Sequence, residues 1–134
     1  MPAITVRDDE YITMLYYPES KILYHQIHKF FFGQTFRDIF NGAIEVFQKY
    51  GAQKWLADDT AIKAFGIGDQ EWAAEHWFDR ALKAGWKYWA IIMPQNPTGQ
   101  LAVQRLAERY SSRGVQTRAF STVDEAKKWL ESCK

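Results

Sequence analysis

Two adjacent carboxylates, Asp58 and Asp59, follow the short apolar segment 55–57 and are the residues whose types most suggest chemistry. In an open α/β sheet, functional sites gather beyond the carboxyl ends of the strands. Paired carboxylates can act as acid and base, or can share Mg²⁺ with further oxygen ligands such as Asp69 and Glu71. Adjacent side chains on an extended chain point to opposite faces, which argues against a shared substrate atom. We therefore expect one Asp to cap the loop and the other to be solvated, with no catalytic residue and no metal site.

A glycine-containing loop, Gly66-Ile67-Gly68, precedes a helix that Asp69 is expected to open as its N-cap. The loop lacks the third glycine of the dinucleotide fingerprint and the Lys-Ser/Thr pair of a P-loop. Asp69 and Glu71 would also repel a phosphate, so we predict a turn and no cofactor. A second loop, at 94–99, also follows a strand. If the two loops lie side by side they rim a groove for a small ligand, or they are simply neighbouring turns.

The three histidines offer no catalytic arrangement. His25 and His28 are three residues apart on a predicted strand and so face opposite sides, which is poor geometry for a shared metal. His76 lies on a predicted helix without a cysteine to activate, and the chain has no G-x-S-x-G elbow. We expect all three to be surface or partly buried residues. Cys133 is the single cysteine and has no partner for an internal disulfide.

The hydrophobic pattern predicts the elements that must position these residues. Strands are predicted at 11–17, 21–29, 53–58, 86–93 and 115–120, and helices at 35–50, 69–84, 98–110 and after Thr122. Thr122 and Glu125 have the spacing of a capping box. The order β-β-α-β-α-β-α-β-α predicts one α/β domain over residues 1–134. Its sheet is expected to be mostly parallel, with an antiparallel N-terminal hairpin and helices packed on it.

Composition narrows the class of protein further. A chain of 134 residues with a net charge of +1 and 25% interspersed charged residues suits one core and gives no reason to expect a nucleic-acid partner. The N-terminus lacks the apolar region of a signal peptide, and no apolar run approaches the roughly 18 residues of a membrane span. We therefore expect a cytoplasmic protein without a membrane partner. Aromatic residues reach 16%, which predicts either a bulky core or a surface patch that marks an interface.

Three consecutive aromatic residues, Phe30, Phe31 and Phe32, are the clearest candidates for such a patch. They cannot all point into one core, so at least one ring must face outward or pack beneath a neighbouring chain. We predict a homodimer interface formed by these three residues. The alternative is that they bridge a strand and the first helix, with the spare ring beneath that helix.

Three stretches of the chain resemble the STAS-like (SpoIIAA-like) domains. They are WLADD at 55–59, DQEWAAEHWFDRALKAGWKYWAIIMP at 69–94 and FSTVDEAKKWL at 120–130. The chain looks most like a bacterial subgroup with the pattern DQEW…WF…A…G…A and F…EEA..WL, and the order of elements matches over nearly its whole length. These motifs are typical of a fold and carry no catalytic signature.

The resemblance implies a regulatory module. In regulatory members of the family, a serine or threonine at the start of the helix after the third strand is phosphorylated, which weakens docking to a kinase-type partner. A phosphate there would suit a helix N-terminus. Here Gly68 and Asp69 occupy the place, and Thr60, the nearest hydroxyl, lies earlier in the loop. The matching position therefore has no hydroxyl on which such a switch could act.

Two hypotheses for function follow, from different classes. The first is a non-catalytic protein-interaction module whose surface comprises the loop and helix start, with Asp58, Asp59, Thr60, Asp69, Glu71 and Trp72 as its binding residues. The second is a domain that binds a small apolar or aromatic molecule in the groove between the loops at 58–68 and 94–99. Structural homodimerisation through the three phenylalanines is a further alternative.

Overall fold

The computed structural model describes residues 2–133, which form a six-stranded sheet covered by helices. The strands are β1 (Ile4–Asp8), β2 (Ile12–Tyr17), β3 (Ile22–Ile27), β4 (Lys54–Asp58), β5 (Tyr88–Ile92) and β6 (Gln116–Phe120). The helices are α1 (Gln34–Tyr50), α2 (Ile67–Trp72), α3 (Phe78–Ala84), α4 (Pro97–Ser111) and α5 (Val123–Ser132), and a π-helical turn, Ala73–Trp77, joins α2 to α3.

The strands lie in the sheet in the order in which they occur in the chain. β2 pairs antiparallel with both β1 and β3, whereas β3, β4, β5 and β6 are parallel to one another. The predicted α/β class, with an antiparallel N-terminal hairpin on a mostly parallel sheet, is therefore confirmed. The carboxyl ends of β3, β4 and β5 lie together at one edge of the sheet, because their registers align.

The predicted number of strands is wrong, because the sequence interpretation omits β1. This edge strand has no fully buried residue, so its side chains do not show the alternation that marks a half-buried strand. A register shift between Thr5 and Arg7 interrupts its pairing with β2 further. By contrast, Ile12, Met14 and Tyr16 on β2 are buried on one face, as their spacing predicts.

The two faces of the sheet are covered unequally. The larger core lies between one face and helices α1, α3 and α4, and it contains the buried rings Phe47, Trp55, Phe78 and Tyr110. On the other face, α5 packs against β4, β5 and β6 and buries Leu130. Because β5 lies between both cores, its continuous apolar sequence matches the central strand predicted for it.

Helix ends follow local chemistry. Gly51 has a φ of +67° and ends α1 in the left-handed conformation, which glycine adopts without strain. Thr122 accepts a hydrogen bond from the Glu125 N–H, so the predicted cap of α5 is confirmed. No helix in the described part of the chain is long and apolar enough to cross a membrane.

Asn96 joins the loops that follow β4 and β5. Its side-chain amide donates to the Ile62 carbonyl at 3.1 Å, and its side-chain oxygen accepts from the Gly99 N–H at 2.7 Å. The Gln95 N–H also donates to the Thr60 carbonyl at 3.3 Å. The two loops at 58–68 and 94–99 therefore lie side by side, which is the arrangement that the groove considered from the sequence requires.

Replacing Gly99 with Ala will loosen this junction. A Cβ at Gly99 would overlap the Ile62 carbonyl oxygen and lie 2.9 Å from the Pro94 Cβ. We expect Gly99→Ala to lower the free energy of unfolding by about 1–3 kcal/mol, since crowding in a packed site costs that much. Urea denaturation measures it.

Gly42→Ala is the matched control, because nothing lies within 4 Å of a Cβ at that helical position. It should raise the free energy of unfolding by up to about 1 kcal/mol through helix propensity. Equal effects of the two substitutions would contradict the close contact at Gly99.

Candidate functional site

Three buried polar side chains form a chain of hydrogen bonds beneath the carboxyl edge of the sheet. The Trp55 Nε1–H donates to His25 Nδ1 at 2.9 Å, and His25 Nε2 lies 2.8 Å from Asp59 Oδ1. His25 is 4% exposed and Asp59 is 3% exposed. We call Trp55, His25 and Asp59 the Trp–His–Asp chain.

Strand register explains why these residues meet. His25 on β3 pairs with Ala57 on the parallel strand β4. Trp55, Ala57 and Asp59 alternate along one face, so His25 lies between Trp55 and Asp59, opposite the small Ala57. The loop after β4 begins in register as well, because the Asp59 N–H donates to the Ile92 carbonyl at 3.0 Å.

The partners of His25 determine where its proton is. An indole N–H can only donate, so Nδ1 must accept and carries no hydrogen. In this arrangement the hydrogen is therefore on Nε2 and is donated to Asp59 Oδ1. Both ring nitrogens are occupied, and neither is free to exchange a proton with a bound molecule.

The second carboxyl oxygen of Asp59 has no hydrogen-bond partner among residues 2–133. No side-chain nitrogen or oxygen in that range is both fully enclosed by protein and unpartnered. Oδ2 must therefore face open space. The space that Asp59 lines is a pocket of about 60 Å³, which we call the chamber.

The chamber walls are mostly aromatic. Four indoles and a phenol surround it together with smaller apolar residues: Trp55, Trp77, Trp86, Trp89 and Tyr110. The ring centroid of Trp86 lies 5.2–5.7 Å from those of Trp55, Trp77 and Trp89, within the range of favourable aromatic pairs. Much of the aromatic surplus in the sequence therefore lies around this void. The chamber is well below the roughly 150 Å³ of an engineered cavity that binds benzene, and it has room for a small group only.

The π-helical turn supplies two chamber residues, Ala73 and Trp77. The Trp77 indole N–H donates to the Phe40 carbonyl on α1 at 2.8 Å, which fixes the ring. The sequence pattern predicts one uninterrupted α-helix over 69–84, so this turn is a correction. π-Helical turns are rare and recur at functional sites.

Tyr110 is another chamber residue whose side-chain oxygen lacks a protein partner within the described residues. Its ring stacks on Phe78 with centroids 4.2 Å apart, and the residue is 5% exposed. Burial raises the pKa of Tyr110 to about 12, and the nearby Arg109 opposes this rise only weakly. By the same reasoning as for Asp59, its hydroxyl faces open space, and Tyr110 lines the chamber.

A surface groove of about 450 Å³ adjoins the chamber. It is formed by the segment after β3, the loop after β4 and the loop after β5. Four apolar residues line both the groove and the chamber, and we call them the partition: Ile27, Phe36, Ile62 and Phe65. Ile27 is the last residue of β3 and Phe36 lies in α1, whereas Ile62 and Phe65 belong to the loop at 59–66, which has no helix or strand.

The structure corrects three of the sequence predictions for this site. Asp59 and His25 are buried and bonded to each other, not solvated or at the surface. Asp69 is 6% exposed and does not cap its helix, which begins at Ile67 with Gly66 before it. Instead, Asp69 Oδ1 accepts from the Gly33 N–H at 3.0 Å and joins α2 to the start of α1.

The other predicted binding residues lie closer to the surface. Asp58 Oδ1 accepts from both the N–H and the hydroxyl of Thr60, so Asp58 caps the loop as expected. Glu71 is exposed, whereas Trp72 is half-buried with its ring edge-to-face on Phe36. The six predicted residues therefore do not form one surface.

The predictions for the other histidines and for the three phenylalanines are in part confirmed and in part wrong. His28 and His76 are exposed, as expected. Phe31 is buried in the core and cannot belong to a dimer interface, which corrects that part of the prediction. Phe30 and Phe32 are 53% and 66% exposed and stack on each other with centroids 5.6 Å apart. In the described part of the chain, no group of three or more His, Cys, Asp or Glu residues could hold a metal ion.

Comparisons with known proteins leave the family of this chain open. No protein-family model matches it. No curated protein and no solved structure matches it at a significant level. The function must therefore be argued from the site itself.

The buried state of the Tyr110 hydroxyl predicts a pH dependence of stability. Its pKa in the folded protein, about 12, exceeds the ordinary value of 10.0, so its contribution is full below pH 10 and is lost as the pH rises through 12. Relative to Tyr110→Phe, the wild type should lose about 2 kcal/mol of unfolding free energy between about pH 9 and 12.

Urea denaturation of both proteins across this pH range measures the difference. Other groups that titrate there, including lysines and further tyrosines, are common to both proteins and cancel. A difference that stays constant with pH would contradict burial of this hydroxyl.

Proposed function

We propose that this protein binds a small, largely apolar molecule in the groove and chamber. The observation that carries this proposal is the partition: the same four apolar residues line the outer groove and the inner chamber. A groove of about 450 Å³ falls within the usual size of ligand sites. Its place beyond the carboxyl ends of β3, β4 and β5 is also where open α/β sheets bind ligands.

The sizes of the two spaces determine how a ligand would lie. The chamber, at about 60 Å³, takes a small end group, and the groove takes the body of the molecule. Ile62 and Phe65 are on the irregular loop, and they are the members of the partition best able to move aside. Loop side chains positioned by a rigid sheet are common in binding sites.

The proposed role is binding without catalysis. Both nitrogens of His25 are engaged within the Trp–His–Asp chain. The chamber lining contains no serine, threonine, cysteine or lysine that could act as a nucleophile. What remains are aromatic walls, the side-chain oxygens of Asp59 and Tyr110 and the amide of Gln70, which suit recognition.

Titration with 1-hexanol tests this proposal. We expect the wild type to bind it with a dissociation constant on the order of 1 mM or lower, as its few heavy atoms allow. Ala73→Leu adds volume directly to the chamber wall and should weaken binding by about tenfold or more, a loss of about 1.4 kcal/mol, because the larger side chain occupies space that the end group of the ligand would enter. Calorimetry and tryptophan fluorescence report the binding.

Ala102→Leu is the matched control. Ala102 is a half-buried alanine on α4 that lines neither space, so this variant should bind 1-hexanol as the wild type does. Thermal melting confirms that both variants are folded. Absence of binding to the wild type, or equal affinities for the two variants, would refute the proposal.

A second candidate function is a regulatory protein-interaction module of the STAS-like kind that the sequence resembles. The observation that favours it is the pair of exposed rings Phe30 and Phe32, which are 53% and 66% exposed and stack on each other. Contiguous exposed apolar residues are typical of interfaces. The partner that we propose for this patch is a second copy of the chain.

Light scattering over a range of protein concentrations tests self-association. We expect the wild type to show a concentration-dependent mass, and the double variant Phe30→Ser/Phe32→Ser to remain monomeric because it lacks the apolar rings. Leu101→Ser, at an exposed leucine on α4, serves as control and should behave as the wild type. A monomeric wild type at every concentration would rule this candidate out.

A further inference from the structure

We infer that the ligand of the chamber is an organic ammonium ion: a protonated amine on a slender apolar body. This inference rests on the proposed binding function and names its ligand class. The chamber combines one unpaired carboxyl oxygen with walls of aromatic rings, and few other ligands complement both features.

The first step concerns charge. Asp59 is 3% exposed, its Oδ1 accepts one hydrogen bond from His25, and its Oδ2 accepts none from the described residues. A carboxylate removed from water is costly unless it is paired and fully hydrogen-bonded. Among residues 2–133, no group therefore donates a hydrogen bond to Oδ2, and no lysine or arginine lines the chamber beside it.

The second step is that the protein itself supplies no cation there. The acids and bases among the chamber-lining residues are His25, Asp59 and Tyr110. His25 is held as the Nε2–H tautomer by Trp55, and the pKa of Tyr110, raised to about 12 by burial, leaves its hydroxyl neutral. Lys29 and Lys63 border the outer groove, but neither lines the chamber, and Lys29 is paired with Glu10 at 2.7 Å.

The third step concerns the walls. Indole and phenol rings attract cations to their faces, and the attraction grows when water is excluded. Trp55, Trp77, Trp86, Trp89 and Tyr110 surround the chamber. A volume of about 60 Å³ has room for an ammonium group with its first methylene, which leaves the rest of a straight alkyl chain to pass the partition into the groove.

The chamber lining offers further acceptors besides Asp59. An alkylammonium group has three N–H donors. Asp59 Oδ2 can accept one of them, and the Tyr110 oxygen and Gln70 Oε1 are two further acceptors among the lining residues, each without a partner within residues 2–133. A neutral alcohol of the same length has one O–H donor and no charge, so it satisfies the site less completely.

Calorimetric titrations with hexylammonium chloride, 1-hexanol and sodium hexanoate test this inference. We expect the wild type to bind hexylammonium about tenfold or more tightly than 1-hexanol, since a hydrogen bond to a charged group is the stronger kind. Hexanoate should bind more weakly than 1-hexanol, because its charge repels Asp59. Sodium chloride at equal concentration controls for ionic strength.

Asp59→Asn keeps the shape of the side chain and removes its charge, so it should abolish the preference for the amine while 1-hexanol still binds. Asp58→Asn is the matched control, with the same chemical change one residue away on a side chain that does not line the chamber. It should keep the preference. The indole N–H resonance of Trp55 should shift with hexylammonium in the wild type, because that group donates to His25.

The wild-type comparison stands even if Asp59→Asn does not fold. Binding of 1-hexanol as tight as that of hexylammonium would overturn the ammonium inference and leave the binding function intact. Equal loss of the preference in the Asp58 and Asp59 variants would also overturn it. Failure of the wild type to bind either compound would overturn both.

Discussion

The Trp–His–Asp chain is the interaction on which the rest of this structure depends. It places a histidine and a carboxylate inside an aromatic core, where unpaired polar groups would be costly. Trp55 lies on β4 and Asp59 directly follows that strand on the same face of the sheet, whereas His25 lies on the neighbouring strand β3. The chain therefore holds β3 and β4 in a single register, because a shift by one residue would remove His25 from that face.

The same chain determines which atoms are left for a ligand. By occupying both nitrogens of His25 and one oxygen of Asp59, it leaves a single carboxyl oxygen toward the chamber. A site with both nitrogens free would suggest proton transfer. This site has a fixed acceptor and aromatic walls, which favours recognition over chemistry.

The sequence predicts helices and their ends well where residues close to one another along the chain determine the local structure. The helical spacing of Phe36, Ile39, Ala43 and Phe47 and the capping pair Thr122 and Glu125 are local signals, and both match the structure. The edge strand β1 is missed because it buries neither face. Its position depends on β2, which a local pattern does not describe.

The site depends on pairings between distant segments, and this is why the sequence interpretation misplaces it. Asp58 and Asp59 do point apart, as an extended chain requires, but where Asp59 then lies depends on the pairing of Ala57 with His25. The alternation of Trp55, the small Ala57 and Asp59 indicates the position of the site only once the register between β3 and β4 is known. Asp69 is misassigned for a similar reason, since its partner Gly33 is 36 positions away.

The order of the strands has a consequence for how the chain folds. Every strand after β1 pairs with the strand that precedes it in the chain. Each new strand therefore finds a partner that has already been synthesised. Sheets whose pairings are close in sequence lose less loop entropy before contacts form, and they fold faster than sheets with distant pairings. During synthesis, each βα unit could add to the growing edge of the sheet as it leaves the ribosome. The Trp–His–Asp chain would then close as soon as β4 docks, before the second half of the aromatic wall exists.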